Sequence, residues 1–491
     1  MNEIKKFIDW QRTNKFQIGF VAAIYLLFAI YLGSINYYYI DDIGRRLDGT
    51  TGFAQHYARY FAEYASHLVQ GDSHLTDLGL TTFILSALIL TQISSLVIYI
   101  VNSEETISWV TAFVSIFIGL NPFGLELFSF RFDTPYMMFS LLFVIIPFLW
   151  FKTNQKLYAL SSIIGIFLMF NSYQASSGIY IMLVIFLGLL EFAKELDFMR
   201  HFQFLLSSAA YYGIALVSYF IEMRMNPQLL SRGENTSIAS LSELPAAIVN
   251  NTRVYFETYQ NELPNLWKFC ILILIVVFIL QLIFSARKSR VFLFFISLMY
   301  LLMSAVLSFG VYIASTATLA DDRPRYAYGL AILVGVIVIY VVSKRNQRFL
   351  NLVGKLVAIV LTYYTLSFSM AYVSALDNQK TDFEMQAAVL STQINTYLTD
   401  ENNLVFINRF LEDSQAYVNA TTNYPILDNL VPSNQAVYWP NVMWYNSITH
   451  SNINFQGFDF STVDLSTFEL LQSNYNFDIY RNDYQLYVYM K

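Results

Sequence analysis

Long apolar stretches recur along most of the chain, and they constrain its fold more than any other feature. Most are close to twenty residues, the length at which a helix crosses a hydrocarbon core about 30 Å thick. The 491 residues are 56% hydrophobic and only 13% charged, whereas soluble proteins are about a quarter charged. The sequence therefore predicts an all-α polytopic membrane protein.

Composition excludes two other classes of protein. The formal net charge is −6 and no basic face is visible, which excludes a nucleic-acid-binding protein with its clustered lysines and arginines. Cys270 is the only cysteine, so the chain is not a small secreted domain held by disulfides. Cys270 lies inside an apolar stretch, where a packing role is expected.

The apolar stretches predict eleven transmembrane helices. The first follows a basic N-terminus, but it is too long for a signal peptide and has no small-residue cleavage site, so we interpret it as a retained span. Two others, 108–120 and 157–171, are shorter than a perpendicular crossing requires. The predicted spans are 16–37, 78–101, 108–120, 136–151, 157–171, 178–193, 203–221, 266–286, 291–314, 326–343 and 349–375.

Basic residues in the short connections predict the orientation of the spans. With the N-terminus in the cytoplasm, fourteen Lys and Arg residues crowd into a few short cytoplasmic connections, while those assigned outside are spread over long loops. The positive-inside rule therefore favours a multi-pass protein of the cytoplasmic membrane with its C-terminus outside. The fourteen residues are Lys5, Lys6, Arg12, Lys15, Lys152, Lys156, Lys194, Arg200, Arg287, Lys288, Arg290, Lys344, Arg345 and Arg348.

Composition also predicts two domains, a multi-span membrane domain over 1–375 and a small extracytoplasmic α/β domain over 376–491. The last 116 residues carry thirteen acidic and four basic residues, a formal charge of −9. No catalytic signature is visible in this tail. Its predicted elements are a helix near 379–399, a strand over Leu404–Asn408, and a hairpin of Phe477–Tyr480 and Tyr484–Met490 about Arg481–Asp483.

The sharpest polar cluster follows the first span. Asp41 and Asp42 are adjacent carboxylates at the membrane edge, and Arg45 and Arg46 follow within five residues. A carboxylate beside guanidinium groups can accept a proton from a sugar hydroxyl and hold a phosphate. The spacing alone favours equally a hydrated loop with its charges in water and its tyrosines in the interfacial aromatic belt.

An amphipathic helix is predicted over 53–69. Aromatic side chains share one face, whereas His56, Arg59, Glu63 and His67 share the other, so the helix can lie in the membrane interface. The two histidines are candidate metal ligands. The arginine between them favours a solvated face over a metal site.

Four further polar clusters lie in predicted outward loops or at span ends. Each has a purely structural interpretation beside the functional one: an ion pair within the loop, a capped turn, or anchoring at the interface. We nevertheless expect one site, because anchoring alone does not require acid and arginine in nearly every outward loop. The clusters are Arg131 with Asp133, Tyr173 with Gln174, Glu222 with Arg224, and Asp321 and Asp322 with Arg323 and Arg325.

These motifs resemble the membrane glucosyltransferases of the type II serotype-converting family, which modify O-antigen and have a GT-C-like architecture. The family often has Gly before the arginine of the loop helix, where this chain has Ala58. The resemblance covers most of the membrane portion. It rests on Asp41-Asp42 with Arg46, on Arg59, on Arg131-Phe132-Asp133 and on Tyr173-Gln174-Ala175.

The resemblance implies an enzyme that moves a sugar, typically glucose, from a polyprenyl-phosphate carrier to a cell-surface glycan on the outer side of the cytoplasmic membrane. It also implies an inverting reaction whose base is an aspartate of the first outer loop, here Asp41 or Asp42, with Asp41 preferred by analogy. The candidate ligands of the donor phosphate are Arg45, Arg46, Arg323 and Arg325. The candidate substrate ligands are Arg131, Asp133, Tyr173, Gln174, Glu222 and Arg224.

The predicted partners are the lipid-linked sugar donor, the glycan acceptor and membrane lipids, with no nucleic acid. No cofactor is predicted, and a divalent metal stays an open question. The donor needs no nucleotide pocket, in agreement with a sequence that has no Gly-rich phosphate loop. The closest enzymatic alternative is an O-antigen or polysaccharide polymerase. A lipid-linked glycan flippase or transporter is the other alternative, although transporters normally keep ionisable groups within their spans and these spans have almost none.

Overall fold

The chain divides into two compact units in the computed structural model. The first consists of Met1–Ser34 with Gly49–Met370, and the second of Ile35–Asp48 with Ala371–Lys491. The segment Ile35–Asp48 thus belongs with the C-terminal residues, whereas composition placed it in the membrane domain. The structure describes residues 2–102, 105–195, 197–226, 238–285, 289–319, 323–344, 347–398 and 403–491. Arg287, Lys288, Asp321, Asp322 and Arg345 lie outside the described residues.

Helices dominate the chain. In chain order they are α1 (Asn2–Thr13), α2 (Lys15–Ser34), α3 (Asp42–Asp48), α4 (Phe53–Tyr57), α5 (Tyr60–Gln70), α6 (Thr81–Val101), α7 (Trp109–Ser115), α8 (Pro122–Ser129), α9 (Thr134–Ile145), α10 (Gln155–Phe170), α11 (Ser177–Glu195), α12 (Phe198–Arg224), α13 (Leu244–Glu262), α14 (Asn265–Ser285), α15 (Arg290–Leu307), α16 (Tyr328–Ser343), α17 (Arg348–Ile394), α18 (Gln415–Asn423), α19 (Leu427–Leu430) and α20 (Trp439–Thr449).

Eight of the described helices are long and apolar enough to cross a membrane. Trp109–Ile118 and Pro122–Ser129 pass the same test only together, as a bent pair, while Thr134–Leu149 and Gln155–Phe170 are apolar but shorter. Each of the eleven apolar stretches therefore coincides with helix, and the prediction of a helical membrane protein is confirmed. The number and direction of the crossings stay predictions.

Asn121 and Pro122 cause the bend between α7 and α8. The chain bends by 64° between Trp109–Ile118 and Pro122–Ser129. Asn121 Oδ1 accepts a hydrogen bond from the Gly124 backbone nitrogen at 2.9 Å, and Pro122 occupies the first turn of α8; an asparagine cap followed by proline is a strong start to a new helix. All of α8 is buried, so the stretch predicted as an outward loop after residue 120 begins as a buried helix.

The amphipathic helix predicted over 53–69 is two helices, α4 and α5. Ala58 between them has a φ of 52°, a left-handed conformation that breaks a helix and favours glycine. The first two backbone nitrogens of α4 and the Thr51 hydroxyl donate to the Glu63 carboxylate. His67 Nε2 lies 3.1 Å from the same carboxylate. The prediction of one continuous helix was wrong.

Helix α17 is continuous across the predicted boundary between the two domains. It runs for 47 residues and joins the predicted last span, 349–375, to the predicted tail helix, 379–399. The span predicted over 291–314 is also shorter than expected, because α15 ends at Leu307 and a separate 3₁₀ turn, Gly310–Ala314, follows.

The second unit contains a five-stranded sheet of order β2-β1-β5-β4-β3, with β1 parallel to β2 and β5. The strands are β1 (Leu404–Ile407), β2 (Asn454–Gly457), β3 (Glu469–Ser473), β4 (Phe477–Asn482) and β5 (Gln485–Met490). The strand predicted at 404 and the C-terminal hairpin are confirmed. The turn is tighter than predicted, since Arg481 and Asn482 belong to β4 and Asp483, with a φ of 53°, follows them. Phe383 and Leu390 of α17 pack in one core with strand residues.

Candidate active site

Asp41 and Asp42 stand at the start of α3 in the second unit, in different environments. The Asp42 side chain is buried, and its Oδ2 accepts a hydrogen bond from the Tyr39 backbone nitrogen at 3.0 Å. The Asp41 side chain is 39% exposed, and its Oδ2 lies 3.9 Å from Arg45 Nη2. Of the two carboxylates, Asp41 is therefore the one open to solvent.

Two residues from the Ala371–Lys491 part of the second unit hold this segment in place. The Tyr39 hydroxyl donates to the Leu430 carbonyl at 2.7 Å, across 391 positions of the chain. Lys380 Nζ donates to the Ile35 carbonyl at 2.9 Å, across 345 positions. The placement of the two aspartates therefore depends on the folded second unit and not on local sequence alone.

Arg45 and Arg46 are adjacent in α3 but differ in exposure. Arg45 is 7% exposed and faces Asp41 across one helical turn. Arg46 is exposed, and its guanidinium lies over the Tyr38 ring, 4.4 Å from the centroid. Arg46 thus presents its charge to solvent, while Arg45 is held in the interior beside Asp41.

Arg59 is the centre of a second polar group, which lies in the first unit. Its Nε donates to Gln174 Oε1 at 3.0 Å, and its guanidinium lies 4.9 Å from the ring centroids of both Tyr57 and Tyr173. Gln174 is fixed in turn, because its amide nitrogen donates to the Tyr57 carbonyl at 2.9 Å and to the Tyr219 hydroxyl at 2.8 Å. The structure therefore brings together Arg59 and two of the predicted substrate ligands.

Tyr173 contributes a buried phenol to this group. The residue is 2% exposed, and among the described residues its hydroxyl has no hydrogen-bond partner. Burial raises the pKa of this hydroxyl above its ordinary value, and the charges of Arg325 and Arg59 oppose the rise. The phenol is therefore a neutral donor next to guanidinium groups.

Arg325 is bound to Glu126, a residue of α8 that the sequence analysis did not single out. The Glu126 carboxylate accepts hydrogen bonds from the Arg325 backbone nitrogen, at 2.8 Å, and from its guanidinium. The two side chains are 3% and 11% exposed. Arg323, by contrast, is exposed. Arg325 is thus a largely buried ion-pair partner of Glu126.

Arg131 is paired with Asp77, an aspartate of the predicted first outer segment. Arg131 Nε donates to Asp77 Oδ1 at 2.7 Å, and Arg131 is 4% exposed. Asp133, also 4% exposed, stands at the start of α9. The sequence left open whether Arg131 serves the site or pairs within its loop, and the structure shows an ion pair to a distant acid.

The end of α12 carries Glu222 and Arg224. Glu222 Oε2 accepts a hydrogen bond from Asn171 Nδ2 at 2.7 Å, which ties it to the turn that carries Tyr173. Arg224 is exposed. Within the described ranges, no group of three or more His, Cys, Asp or Glu side chains is placed to hold a metal ion.

Comparison with known families identifies the family of the chain. Residues 30–326, more than half of the chain, match the family described as glucosyl transferase GtrII. The chain belongs to the GtrII family. The predictions of a membrane glycosyltransferase and of the type II serotype-converting glucosyltransferases are thereby confirmed. A search of curated proteins gave no match.

The region matched to GtrII contains every candidate residue from Asp41 to Arg325, while the sheet of the second unit lies beyond it. Sequence reasoning missed Glu126, Asp77 and Tyr219, which bind predicted residues but lie far from them in the chain. Ala58, at the position where the resemblance leads us to expect Gly, has the left-handed backbone that explains this preference.

Proposed function

We propose that this GtrII protein transfers a glucosyl group from a polyprenyl-phosphate carrier to a cell-surface glycan, with Asp41 as the base and inversion at the anomeric carbon. The contrast between the two aspartates supports this assignment. A general base must come within hydrogen-bond distance of the proton that it removes, and Asp41 is 39% exposed while Asp42 is buried. Asp42 holds the turn that carries Asp41.

In the proposed reaction, the acceptor hydroxyl oxygen bonds to the anomeric carbon as the bond from that carbon to the phosphate oxygen breaks. The hydroxyl proton passes to an Asp41 carboxylate oxygen, and polyprenyl phosphate leaves with the bonding electron pair. Attack opposite the phosphate inverts the anomeric centre. Negative charge grows on the leaving phosphate, so guanidinium groups stabilise the transition state more than the ground state.

The predicted phosphate ligands divide by exposure. Arg46 and Arg323 are exposed, and we assign them to contact with substrate, whereas Arg45 and Arg325 lie beside carboxylates and are assigned to positioning.

Four of the six predicted substrate ligands also divide by exposure. Glu222 and Arg224 are at least partly exposed and are assigned to the glycan. Arg131 and Asp133 are buried and are assigned to holding the loop before α9.

The proposed orientation puts the N-terminus in the cytoplasm and the second unit outside. Ser289 and Ser461 are both exposed. With Cys270→Ala as background, we expect Ser461→Cys to react with a membrane-impermeant maleimide on intact spheroplasts, and Ser289→Cys to react only after permeabilisation. Reaction of both positions from the same side would contradict this orientation.

Release of polyprenyl phosphate tests the proposed reaction. Purified protein in liposomes is supplied with a panel of polyprenyl-phosphate sugars and an acceptor glycan. We expect the glucose donor to release polyprenyl phosphate and to add single glucose residues to the acceptor. A polymerase would instead join lipid-linked oligosaccharides into chains, and a flippase would move the donor across the bilayer without release, so either result would overturn the proposal.

A further inference from the structure

We infer that the guanidinium of Arg59 and the hydroxyl of Tyr173 together bind the phosphate of the lipid-linked donor, and that Gln174 is the positioning residue that aims Arg59. The inference rests on the proposed function for the nature of the donor. It changes two predicted roles. Gln174 acts through Arg59 and does not touch substrate, and Arg325, which the sequence favoured as a phosphate ligand, is replaced in that role by Arg59.

Arg59 is held in one place without being neutralised. Gln174 fixes its Nε, and the rings of Tyr57 and Tyr173 lie on the guanidinium. Among the described residues, no carboxylate lies within ion-pair distance of Arg59, in contrast to Arg325 with Glu126. A fixed guanidinium with its terminal nitrogens left for a ligand is suited to the fork-like binding of a phosphate.

The Tyr173 hydroxyl gives an independent reason for a ligand. Tyr173 is 2% exposed, and its hydroxyl finds no partner within the part of the chain that the structure describes. A buried polar group without a partner destabilises a protein, and such groups are retained where a ligand satisfies them. A phosphate oxygen would accept a hydrogen bond from this hydroxyl.

The balance of charge fits a leaving phosphate. Of the arginines Arg59, Arg323 and Arg325, all of which belong to the first unit, Arg325 is paired with Glu126. Two guanidiniums thus remain without a carboxylate among the described residues, those of Arg59 and Arg323. The phosphodiester of the donor carries one negative charge, and the released phosphate carries up to two. The positive charges of Arg59 and Arg323 therefore stabilise the leaving phosphate more than the bound donor.

Binding of polyprenyl phosphate to protein in nanodiscs tests the inference without relying on transfer. We expect Arg59→Gln to weaken binding roughly 10- to 100-fold, as expected for loss of charge-assisted hydrogen bonds. Arg59→Lys should keep part of the affinity, and Tyr173→Phe should lose several-fold. Arg253→Gln is the matched control, because Arg253 is a 67% exposed arginine of α13. Unchanged binding in Arg59→Gln and Tyr173→Phe would overturn the inference, and so would an equal loss in the control.

Competition by inorganic phosphate distinguishes a site for a lipid phosphate from a site for free phosphate. Weak competition by inorganic phosphate supports the lipid-linked ligand. Competition as strong as that of polyprenyl phosphate overturns that choice of ligand. If the wild type binds polyprenyl phosphate through Arg59 but transfers no sugar, the proposed function fails and the binding site stands.

The positioning role of Gln174 has its own readout. Gln174→Ala should weaken binding of polyprenyl phosphate less than Arg59→Gln does. The double variant should bind no worse than Arg59→Gln alone, because Gln174 has nothing left to aim. Additive losses in the double variant would instead give Gln174 a role that is independent of Arg59.

Discussion

Asp41→Asn is expected to lower sugar transfer by about 10²–10⁴-fold, the usual contribution of a general base. The amide keeps the size of the side chain but has no basic oxygen to receive the acceptor proton. Because Asp41 is 39% exposed and its Oδ2 lies as far as 3.9 Å from Arg45 Nη2, the substitution should leave the unfolding temperature and donor binding nearly unchanged. Transfer is measured with the reconstituted protein as product formed per minute.

Asp42→Asn is the matched comparison. The buried Asp42 carboxylate holds the Tyr39 backbone nitrogen, so this change should lower the unfolding temperature and reduce transfer less than Asp41→Asn does. Near-normal transfer in both single variants and in the double variant would refute a catalytic role for the pair. If Asp42→Asn lowered sugar transfer more than Asp41→Asn while the protein stayed folded, Asp42 would be the base and Asp41 the positioning residue.

Arg325→Gln is expected to destabilise the first unit by about 3–5 kcal/mol, the range for removal of one partner from a buried ion pair. Glu126 is 3% exposed and would keep an uncompensated charge in the interior. The unfolding temperature in detergent should fall, with less protein recovered from membranes. Arg323→Gln removes an exposed arginine two residues away and should leave the unfolding temperature nearly unchanged.

The pairing itself is tested by the double variant Glu126→Gln with Arg325→Gln. Removing both charges should restore much of the lost stability, because no buried charge remains unpaired. A double variant as unstable as Arg325→Gln alone would show that the two residues do not depend on each other.

Local pattern was enough to predict the helices, since apolar stretches of membrane length have few alternatives. Local pattern was not enough to predict where the helices are interrupted. The start of α8 depends on Asn121 and Pro122 inside an apolar region, and the break at Ala58 requires a left-handed alanine that residue preferences disfavour. A loop and a single helix were the natural interpretations of these two stretches.

The sequence indicated which residues could be functional, but it did not indicate which of them contact each other. Adjacent acids and arginines mark Asp41, Asp42 and Arg45, whereas the contrast in burial between the two aspartates comes from packing. Glu126 and Arg325 are 199 positions apart, and a single sequence carries no information on such a pairing. Spacing therefore predicted which clusters to examine, and the structure assigned which arginines have carboxylate partners.

The division of the second unit between two distant stretches has a consequence for biosynthesis. Asp48 and Ala371 are 323 positions apart, and at about 5–20 residues added per second a ribosome needs roughly 16–65 s between them. Throughout that time the nascent chain holds Ile35–Asp48 without Leu430 and Lys380, the residues that anchor it. The proposed base therefore reaches its final setting only when translation is nearly complete, and a prematurely terminated chain would insert its helices in the bilayer without assembling that setting.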